Sequence, residues 1–301
     1  MERVVIIGTG NVGMSYAFSL LNQRTEVDEL FLIDRTRAKA AGEALDLHST
    51  LGYSPSNMKI RLGKYSDCKS AQLVVITAGA PQAPGETRMD LVKKNAAILQ
   101  PMIAEVMASG FNGILLMVTN PLDVMTQLAW KYSGLPHSKV IGTGTVLDSS
   151  RLKYTIGHQA KVNPKDVKAY VIGEHGDSGF VPWSLCSISM QSVEDFLDND
   201  QMTAIEDRVR NDAYEIIKRK GATYYGIGIC LARITNALLS NEHAILPLSN
   251  YDPLERLYYG YPCVVGRGGV ERRLDLKLSA IERRKLAKSL ETIRSGLDSA
   301  K

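Results

Sequence analysis

The sequence predicts an α/β protein in which a parallel sheet is followed by a mixed α+β part. In the first half, short apolar runs rich in β-branched residues alternate with helix-like stretches, which is typical of βαβ units. These runs are continuously apolar, as expected for strands that helices cover on both faces. After about residue 143 the helix and strand signals mix without that regular alternation.

The elements of the first half follow from this alternation. The predicted strands are Val4–Ile7, Leu30–Ile33, Leu73–Thr77, Ile114–Thr119 and Val140–Gly142. The helix-like stretches that separate them are Val12–Asn22, Arg37–Leu47, Asp90–Ser109 and Leu122–Tyr132. This order predicts a sheet of parallel strands whose carboxyl ends share one edge.

The second half contains fewer strands and longer helices. The predicted helices are Asp148–His158, Thr203–Lys220 and Thr223–Leu239, and the predicted strands are Val167–Ile172, Ala244–Leu248 and Tyr261–Val265. Ser279 and Glu282 form a capping box ahead of a closing helix, and we interpret Asn199-Asp200 as a surface turn. We expect two parts, residues 1–142 and 143–301, without a flexible linker between them.

Composition and charge exclude several classes of protein. The chain has 301 residues, 45% of them hydrophobic and 23% charged, and its net charge of +4 is scattered, so no nucleic-acid surface is predicted. No apolar run approaches the roughly 18 residues of a membrane span, and the first strand begins too early for a signal peptide. The four cysteines are far apart, which predicts no metal site and favours free thiols in the cytoplasm.

The stretch "VVIIGTGNVG" places Gly8, Gly10 and Gly13 directly after a strand and at the start of a helix. Glycines at this spacing allow a tight turn, close approach to a pyrophosphate and close helix–strand packing, as in a Rossmann domain. Asp34 ends the next strand, about 20 residues on, where an acid binds a ribose diol. This acid favours NAD, while the neighbouring Arg35 leaves NADP as an alternative.

The stretch "YVIGEHGDSG" places His175 just after a predicted strand, between Gly173 and Gly176. Asp148 and Arg151 are three residues apart in a predicted helix and therefore project from the same face. Taken singly, the histidine could be structural and the pair an ordinary surface ion pair. Together they suit a reaction that needs a proton carrier and a carboxylate clamp.

The chain resembles the L-lactate/L-malate dehydrogenase family over essentially its entire length. The resemblance rests on "IGTGNVG", "AGAPQAPGETRMDL", "TNPLDV", "GTGTVLDSSRLK", "GEHGDS" and "GATYYGIG", in the family's order and spacing. It implies that His175 is the proton donor and acceptor and that Asp148 is its carboxylate partner. It also implies that Arg151 clamps the substrate carboxylate and that Arg88 polarises the reacting carbonyl.

The resemblance implies further contacts. Substrate contacts are expected at Gln82, Asn120 and Thr223. The residues expected to bind NAD are Gly8, Gly10, Asn11, Val12, Gly13, Asp34, Thr77, Ala78, Gly79 and Asn120. The family also implies a homo-oligomer, either a tetramer or a dimer, which acts on a small 2-oxo or 2-hydroxy monocarboxylic acid.

Gln82 occupies the position at which malate-specific members generally carry arginine. The second carboxylate of a 2-oxo diacid would lose water there without gaining a counter-ion, at a cost of several kcal/mol. The sequence therefore favours pyruvate and lactate. Gly179 leaves room for a longer neutral 2-oxo acid of the 2-hydroxyisocaproate type. Lys153 and Lys168 replace the arginine and histidine through which fructose 1,6-bisphosphate activates many bacterial relatives. Both are cationic, so the position can still bind an anion, but we do not expect activation by the sugar bisphosphate.

Other functions are weighed against this one. A malate dehydrogenase with a glutamine variant is disfavoured by the charge argument. A dinucleotide-binding protein that has lost catalytic activity is disfavoured, because the sequence retains all four residues assigned to the reaction, namely His175, Asp148, Arg151 and Arg88. A metal-dependent NAD glycosidase is disfavoured because no cysteine and histidine stand at ligand spacing.

Overall fold

The computed structural model describes residues 1–81, 85 and 87–300, without the side chain of Arg88. A nine-stranded sheet forms its centre. Its parallel strands are β1 (Glu2–Ile7), β2 (Val27–Ile33), β3 (Lys59–Leu62), β4 (Leu73–Ile76), β5 (Ile114–Met117) and β6 (Val140–Gly142). They lie in the order β3-β2-β1-β4-β5-β6. The order reverses between β1 and β4, where ligands bind in such sheets.

Helices connect these strands and cover the sheet. They are α1 (Asn11–Leu21), α2 (Arg37–Thr50), α3 (Arg88–Ala108) and α4 (Leu122–Ser133). Thr87 caps α3, because its hydroxyl accepts a hydrogen bond from Asp90 N while the Asp90 carboxylate accepts from Thr87 N. This capping box starts α3 two residues before the predicted Asp90. The predicted α/β fold with a parallel sheet is confirmed.

The second half adds helices and antiparallel strands. In chain order they are α5 (Val146–Ala160), β7 (Val167–Lys168), β8 (Ser187–Ile188), β9 (Gln191–Ser192), α6 (Asn199–Lys220), α7 (Tyr225–Leu239), β10 (Ala244–Asp252), β11 (Leu257–Gly266), β12 (Gly269–Arg273) and α8 (Ala280–Asp298). Ser249 of β10 pairs with Gly142 of β6, so β10, β11 and β12 extend the parallel sheet. The strands β7, β8 and β9 form a separate small sheet.

The continuously apolar strands are explained by burial on both faces of the sheet. Val4 and Ile6 of β1 pack in a cluster with residues of α1 and α7. Val5 and Ile7 pack on the other face, in a cluster with residues of α3, α4 and α8. A third cluster lies between α5, α6 and the small sheet. None of the helices in the described ranges has the length and apolar character needed to cross a bilayer.

The element bounds of the second half differ from the predicted ones in several places. Asn199-Asp200 is not a surface turn but the start of α6, because Asp198 caps the helix in a capping box with Gln201. Of the predicted strand Val167–Ile172 only Val167–Lys168 belongs to a strand. The capping box of Ser279 and Glu282 before α8 is confirmed.

Candidate active site

Several predicted functional residues follow the carboxyl ends of neighbouring parallel strands. Gly8 follows β1 and Thr77 follows β4. Asn120 follows β5, while Asp148 lies in the first turn of α5, shortly after β6. Because β1, β4, β5 and β6 are adjacent in the sheet, these segments meet along one edge. The edge is the crevice at which open α/β sheets bind ligands.

The glycine-rich turn between β1 and α1 has the close packing that its sequence predicts. Gly8 has φ +111°, and a Cβ there would lie 2.6 Å from Ala78 N. Thr77 Oγ1 donates a hydrogen bond of 2.7 Å to Gly8 O, and a Cβ at Gly13 would collide with the same carbonyl. Gly10 differs, since a Cβ there would meet no atom of the described residues within 4 Å. The space beside Gly10 is therefore open on the side where a pyrophosphate would lie.

The start of α1 suits an anion. The helix begins at Asn11, followed by Val12, and its N-cap residue Gly10 provides no side chain to satisfy the first N–H groups. Unpaired N–H groups and the helix dipole attract negative charge to this end. Asn11 and Val12 are thus placed to bind phosphate oxygens through the backbone.

Asp34 is held as a carboxylate at the end of β2. Its Oδ2 accepts hydrogen bonds from Thr9 N at 2.8 Å and Thr9 Oγ1 at 2.9 Å, and its Oδ1 accepts one from Thr36 N at 2.9 Å. Burial alone would raise the pKa of Asp34, but these hydrogen bonds outweigh it and lower the pKa. Among the described residues, Oδ1 has a single donor and therefore keeps a lone pair for a ribose hydroxyl. The open space at Gly10, the helix start and this acid together fit NAD.

Asn95 on α3 is a residue that the sequence analysis missed. Its side chain is 1% exposed and donates hydrogen bonds to Asn120 O at 2.7 Å and Ala80 O at 3.2 Å. Its Oδ1 accepts from Ala80 N at 2.8 Å. Asn95 therefore ties together the loops after β4 and β5, which carry Gly79 and Asn120. The Asn120 residue is exposed and able to reach a ligand.

His175, Asp148 and Arg151 come together as predicted. The His175 Nδ1–H donates to Asp148 Oδ2 at 2.7 Å, and Arg151 Nη1 donates to Asp148 Oδ1 at 3.3 Å. The His175 side chain is 27% exposed. Within the described part of the chain, Asp148 is the only side chain recorded as accepting a hydrogen bond from the Arg151 guanidinium. The remaining Arg151 donors and His175 Nε2 are thus able to bind a ligand.

Asp148 favours the charged form of His175, and both His175 and Arg151 favour the charged form of Asp148. Burial lowers the pKa of His175, but the charge and hydrogen bond of Asp148, with a further contribution from Asp123, outweigh it, so that the pKa is raised. Burial would raise the pKa of Asp148, yet His175 and Arg151 bring it down. An imidazolium beside a carboxylate is the form that can deliver a proton to a developing alkoxide.

The backbone around His175 is held by distant elements. Gly173 exchanges hydrogen bonds with Gly260 of β11 at 2.8 Å in each direction. Ser289 of α8 accepts a hydrogen bond from Glu174 N at 2.8 Å. His175 N donates to Asp123 Oδ2 at 2.8 Å. Asp123 and Ser289 were not singled out in the sequence, although Asp123 lies within the quoted stretch "TNPLDV".

The remaining predicted substrate contacts are Thr223, Gln82 and Arg88. Thr223 is half-buried in the segment between α6 and α7. At the start of α7, a Cβ on Gly226 would lie 2.8 Å from Leu147 Cδ1, next to Asp148 in sequence. Thr223 therefore belongs to a segment that packs near the start of α5. Gln82 and the Arg88 side chain lie outside the described residues, and their roles stay predictions.

Gly179 does not leave room for a longer substrate, so that expectation was wrong. A Cβ at Gly179 would lie 2.7 Å from Glu174 O and 3.3 Å from Val171 Cγ1. The protein itself therefore fills the space beside this glycine. The nearby Trp183 is directed toward α6, where its Nε1 donates to Glu206 Oε2 at 3.1 Å.

The two lysines noted in the sequence are neighbours. Lys153 Nζ lies 5.1 Å from the centre of the Tyr170 ring. Burial and the charge of Lys168 lower the pKa of Lys153. The response to a sugar bisphosphate stays a prediction.

Comparison with known proteins identifies relatives along the entire chain. The family model for the lactate/malate dehydrogenase NAD-binding domain matches residues 2–142, and that for the lactate/malate dehydrogenase alpha/beta C-terminal domain matches residues 145–301. L-lactate dehydrogenase 2 of Bacillus cereus is 47% identical over 306 residues, covering 98% of this chain and 96% of the relative. L-lactate dehydrogenase of Halalkalibacterium halodurans is 46% identical over 297 residues, covering 97% and 96%.

Solved structures give the same result. MGS-M5, a lactate dehydrogenase from a Medee basin deep-sea metagenome library, superimposes with a TM-score of 0.96 at 46% identity, covering 99% of this chain and 98% of the other. The minor L-lactate dehydrogenase of Enterococcus mundtii in its ligand-bound form gives a TM-score of 0.97 at 42% identity, covering 100% and 98%. The predicted cofactor, NAD, is confirmed by the family match. The chain belongs to the lactate/malate dehydrogenase family.

Proposed function

We propose that the protein is an NAD-dependent L-lactate dehydrogenase that reduces pyruvate to L-lactate reversibly. The observation that carries the proposal is the Asp148 carboxylate, which binds His175 Nδ1 at 2.7 Å and Arg151 Nη1 at 3.3 Å. A proton carrier and a carboxylate-binding cation are thereby held side by side. This is the pair of groups that reduction of a 2-oxo acid requires.

His175 is the group that moves the proton. Its Nδ1 is occupied by Asp148, so Nε2 is left to donate a proton to the 2-oxo oxygen as that oxygen becomes a hydroxyl. Bound NADH supplies the hydride that C2 of pyruvate receives. In lactate oxidation the neutral imidazole takes the proton back. Asp148 fixes the tautomer in both directions and stabilises the imidazolium.

Arg151 orients the substrate. Its planar guanidinium can form two parallel hydrogen bonds with the pyruvate carboxylate, which fixes the direction of the molecule as well as its charge. The Arg151 side chain is 12% exposed, so the interaction would be little screened by water. We assign Arg88, by resemblance, to polarisation of the reacting carbonyl, and Asn120 and Thr223 to further substrate contacts.

Gln82 is proposed to set the preference for pyruvate over oxaloacetate. Its uncharged amide offers no counter-ion to a second carboxylate, whose desolvation costs several kcal/mol. A methyl group carries no such penalty. A 2-hydroxyisocaproate-type activity loses the support that the sequence drew from Gly179, because protein atoms fill the space there.

A substrate panel tests the function. NADH oxidation is measured with pyruvate, oxaloacetate and 2-oxoisocaproate, and with NADPH in place of NADH. We expect the highest kcat/KM with pyruvate and NADH. Highest activity with oxaloacetate would reassign the protein to malate, and no turnover with any 2-oxo acid would remove the proposal.

The Gln82→Arg variant tests the specificity argument, with the neutral Gln82→Met variant as its matched control. Arginine should shift the ratio of kcat/KM for oxaloacetate and pyruvate toward oxaloacetate by roughly a hundredfold, the effect of two charge-assisted hydrogen bonds. Gln82→Met should leave the preference for pyruvate in place. If the ratio of kcat/KM for oxaloacetate and pyruvate is unchanged in Gln82→Arg, this position does not determine the substrate preference.

We also propose that the protein forms a homodimer or homotetramer. Large apolar side chains are exposed on helices that lie side by side, among them Phe18 of α1 at 51% and Ile229 of α7 at 55%. A face of this kind supports an interface between copies of the chain. Light scattering on a chain of 33.0 kDa distinguishes monomer, dimer and tetramer.

We also propose roles for the two parts of the chain and a cellular compartment for the protein. We assign NAD binding to residues 1–142 and substrate chemistry to residues 143–301, supported by family-model bounds of 2–142 and 145–301. The four cysteines are buried free thiols, which supports a reducing compartment such as the cytoplasm.

A further inference from the structure

Asp123 is a second buried carboxylate beside His175. It lies in the first turn of α4 and is 2% exposed. Its Oδ2 accepts a hydrogen bond from His175 N at 2.8 Å, and its Oδ1 accepts one from Ser249 Oγ of β10 at 2.6 Å. Donors at both oxygens replace the water that the carboxylate gives up on burial. Asp123 thus connects the start of α4 directly to the backbone of His175.

The charges around the imidazole give Asp123 a particular importance. Asp148 and Arg151, both on α5, form an ion pair at 3.3 Å, and their fields at the imidazole oppose each other, since Asp148 raises and Arg151 lowers the pKa of His175. Asp123 raises it as well, from the α4 side. Asp123 thus acts on the imidazole in the same direction as Asp148, but from a different helix.

The neighbouring acids on the histidine's own segment are directed elsewhere. Asp177 accepts a hydrogen bond from Tyr214 of α6 at 2.8 Å. Glu174 accepts one from Ser178, and its backbone N–H is bound by Ser289 of α8. The α8 contact to this segment is therefore made by a neutral hydroxyl, which makes Ser289 a suitable uncharged comparison for Asp123.

We propose that Asp123 is a positioning residue that fixes the backbone at His175 and, through its negative charge, favours the imidazolium. It thereby sets the pH at which the enzyme changes from reducing pyruvate to oxidising lactate. The proposal rests on the proposed function. Asp123 neither gives nor takes the proton, which passes between His175 Nε2 and the substrate oxygen.

The test is the pH dependence of kcat/KM in both directions for Asp123→Asn, an uncharged variant of the same shape whose Oδ1 can still accept from His175 N. Reduction needs imidazolium and is lost as pH rises through the pKa of His175, whereas oxidation needs neutral imidazole and appears over the same range. Loss of the charge lowers that pKa. Both midpoints should therefore move about one pH unit toward acid.

Ser289→Ala is the matched control. It removes a hydrogen bond to the same segment without changing a charge, so it should lower the thermal stability and leave both midpoints where they are in the wild type. Asp123→Ala serves as a second uncharged variant, with the same expected direction of shift, in case the asparagine variant does not fold.

If a folded Asp123 variant has the same pH midpoints as the wild type, the inference is overturned. The proposed function still stands in that case, provided that the wild type reduces pyruvate. A shift in Ser289→Ala as large as that in Asp123→Asn would also overturn it, because loosening of the segment would then explain both. Failure of both Asp123 variants to fold, by circular dichroism, would assign the carboxylate to the fold instead. No wild-type turnover of pyruvate would remove the function itself.

Discussion

Asp148 uses its two carboxylate oxygens for two different partners. One oxygen accepts from the imidazole of His175 and the other from the guanidinium of Arg151. The distance between the proton carrier and the cation is therefore set by one side chain. This arrangement supports our assignment of Arg151 to the substrate carboxylate, because the reacting C2 of a 2-oxo acid is bonded directly to that carboxylate.

Replacement of Arg151 should weaken substrate binding more than turnover. Arg151→Gln loses the charge and the fork, and we expect kcat/KM for pyruvate to fall roughly a hundredfold or more, mainly through a higher KM. Arg151→Lys keeps the charge but not the planar fork, so an intermediate loss is expected. Steady-state kinetics with NADH in excess measures both.

Arg219→Gln is the control for Arg151, because Arg219 is 79% exposed and forms a surface ion pair with Glu215 on the same helix. It should leave both KM and kcat unchanged. Equal kinetics for Arg151→Gln and Arg219→Gln would contradict the assigned role.

The sequence pointed to His175, Asp148 and Arg151 because the glycines, the helical spacing and the resemblance converge on them. It did not point to Asp123, which is 52 residues away from its partner His175 in the chain. Nor did it point to Asn95, whose partners come from two separate loops. Contacts of this kind depend on the packing of α4 and α3 against other segments, and local spacing does not encode them.

In the turn between β1 and α1, Gly8 is required by the fold, whereas Gly10 is required for cofactor binding. A methyl group at Gly8 would meet Ala78 N at 2.6 Å, in a backbone with φ +111°. At Gly10 it would meet no atom within 4 Å in the part of the chain that the structure describes, and it would project into the space assigned to the pyrophosphate. The two glycines should therefore fail in different ways.

Gly8→Ala should destabilise the protein by about 2 kcal/mol or more, through strain and collision. Gly10→Ala should unfold within about 0.5 kcal/mol of the wild type but bind NADH roughly tenfold more weakly or worse. Denaturant unfolding and NADH fluorescence titration separate the two effects. Gly42→Ala in α2 is the control, because a Cβ there also has no atom of the described residues within 4 Å. It should lower neither the stability nor the affinity for NADH. Unaltered NADH affinity in Gly10→Ala would mean that the dinucleotide lies elsewhere.

Segments were predicted well where burial on both faces or a capping motif determines them, and poorly elsewhere. β1 from Val4 to Ile7 and all of β4 are continuously buried, and both were found. β3, with only four residues of mixed burial, was not predicted. The start of α6 was taken for a turn because Asp198 was not recognised as its N-cap. Short edge strands and helix starts depend on a few contacts that the apolar pattern does not contain.

One sheet runs through both family-model regions. β10 pairs with β6 through Ser249 and Gly142 and then with β11 along nine residue pairs, from Ala244 opposite Val265 to Asp252 opposite Leu257. α7, from the second half, packs on α1 in the first. The halves thus share their cores, as the clusters on the two faces of the sheet show. We expect them to unfold together.

The two tryptophans allow this to be tested, since Trp130 lies in α4 of the first half and Trp183 in the second. The variants Trp130→Phe and Trp183→Phe each leave one fluorescent reporter. For each variant, urea denaturation is followed by tryptophan fluorescence and by circular dichroism. The two midpoints of a given variant should coincide, whichever half carries the tryptophan. Fluorescence midpoints that differ from the circular dichroism midpoint would show that the halves unfold independently.

The most direct test of the account compares the wild type with His175→Asn in NADH oxidation by pyruvate, after NADH binding has been measured for both. His175 is assigned to the proton and not to the dinucleotide. The variant should therefore bind NADH as the wild type does, while kcat/KM falls about a hundredfold to ten-thousandfold. A variant that binds NADH and still reduces pyruvate at the wild-type rate would contradict the assignment on which the mechanism depends.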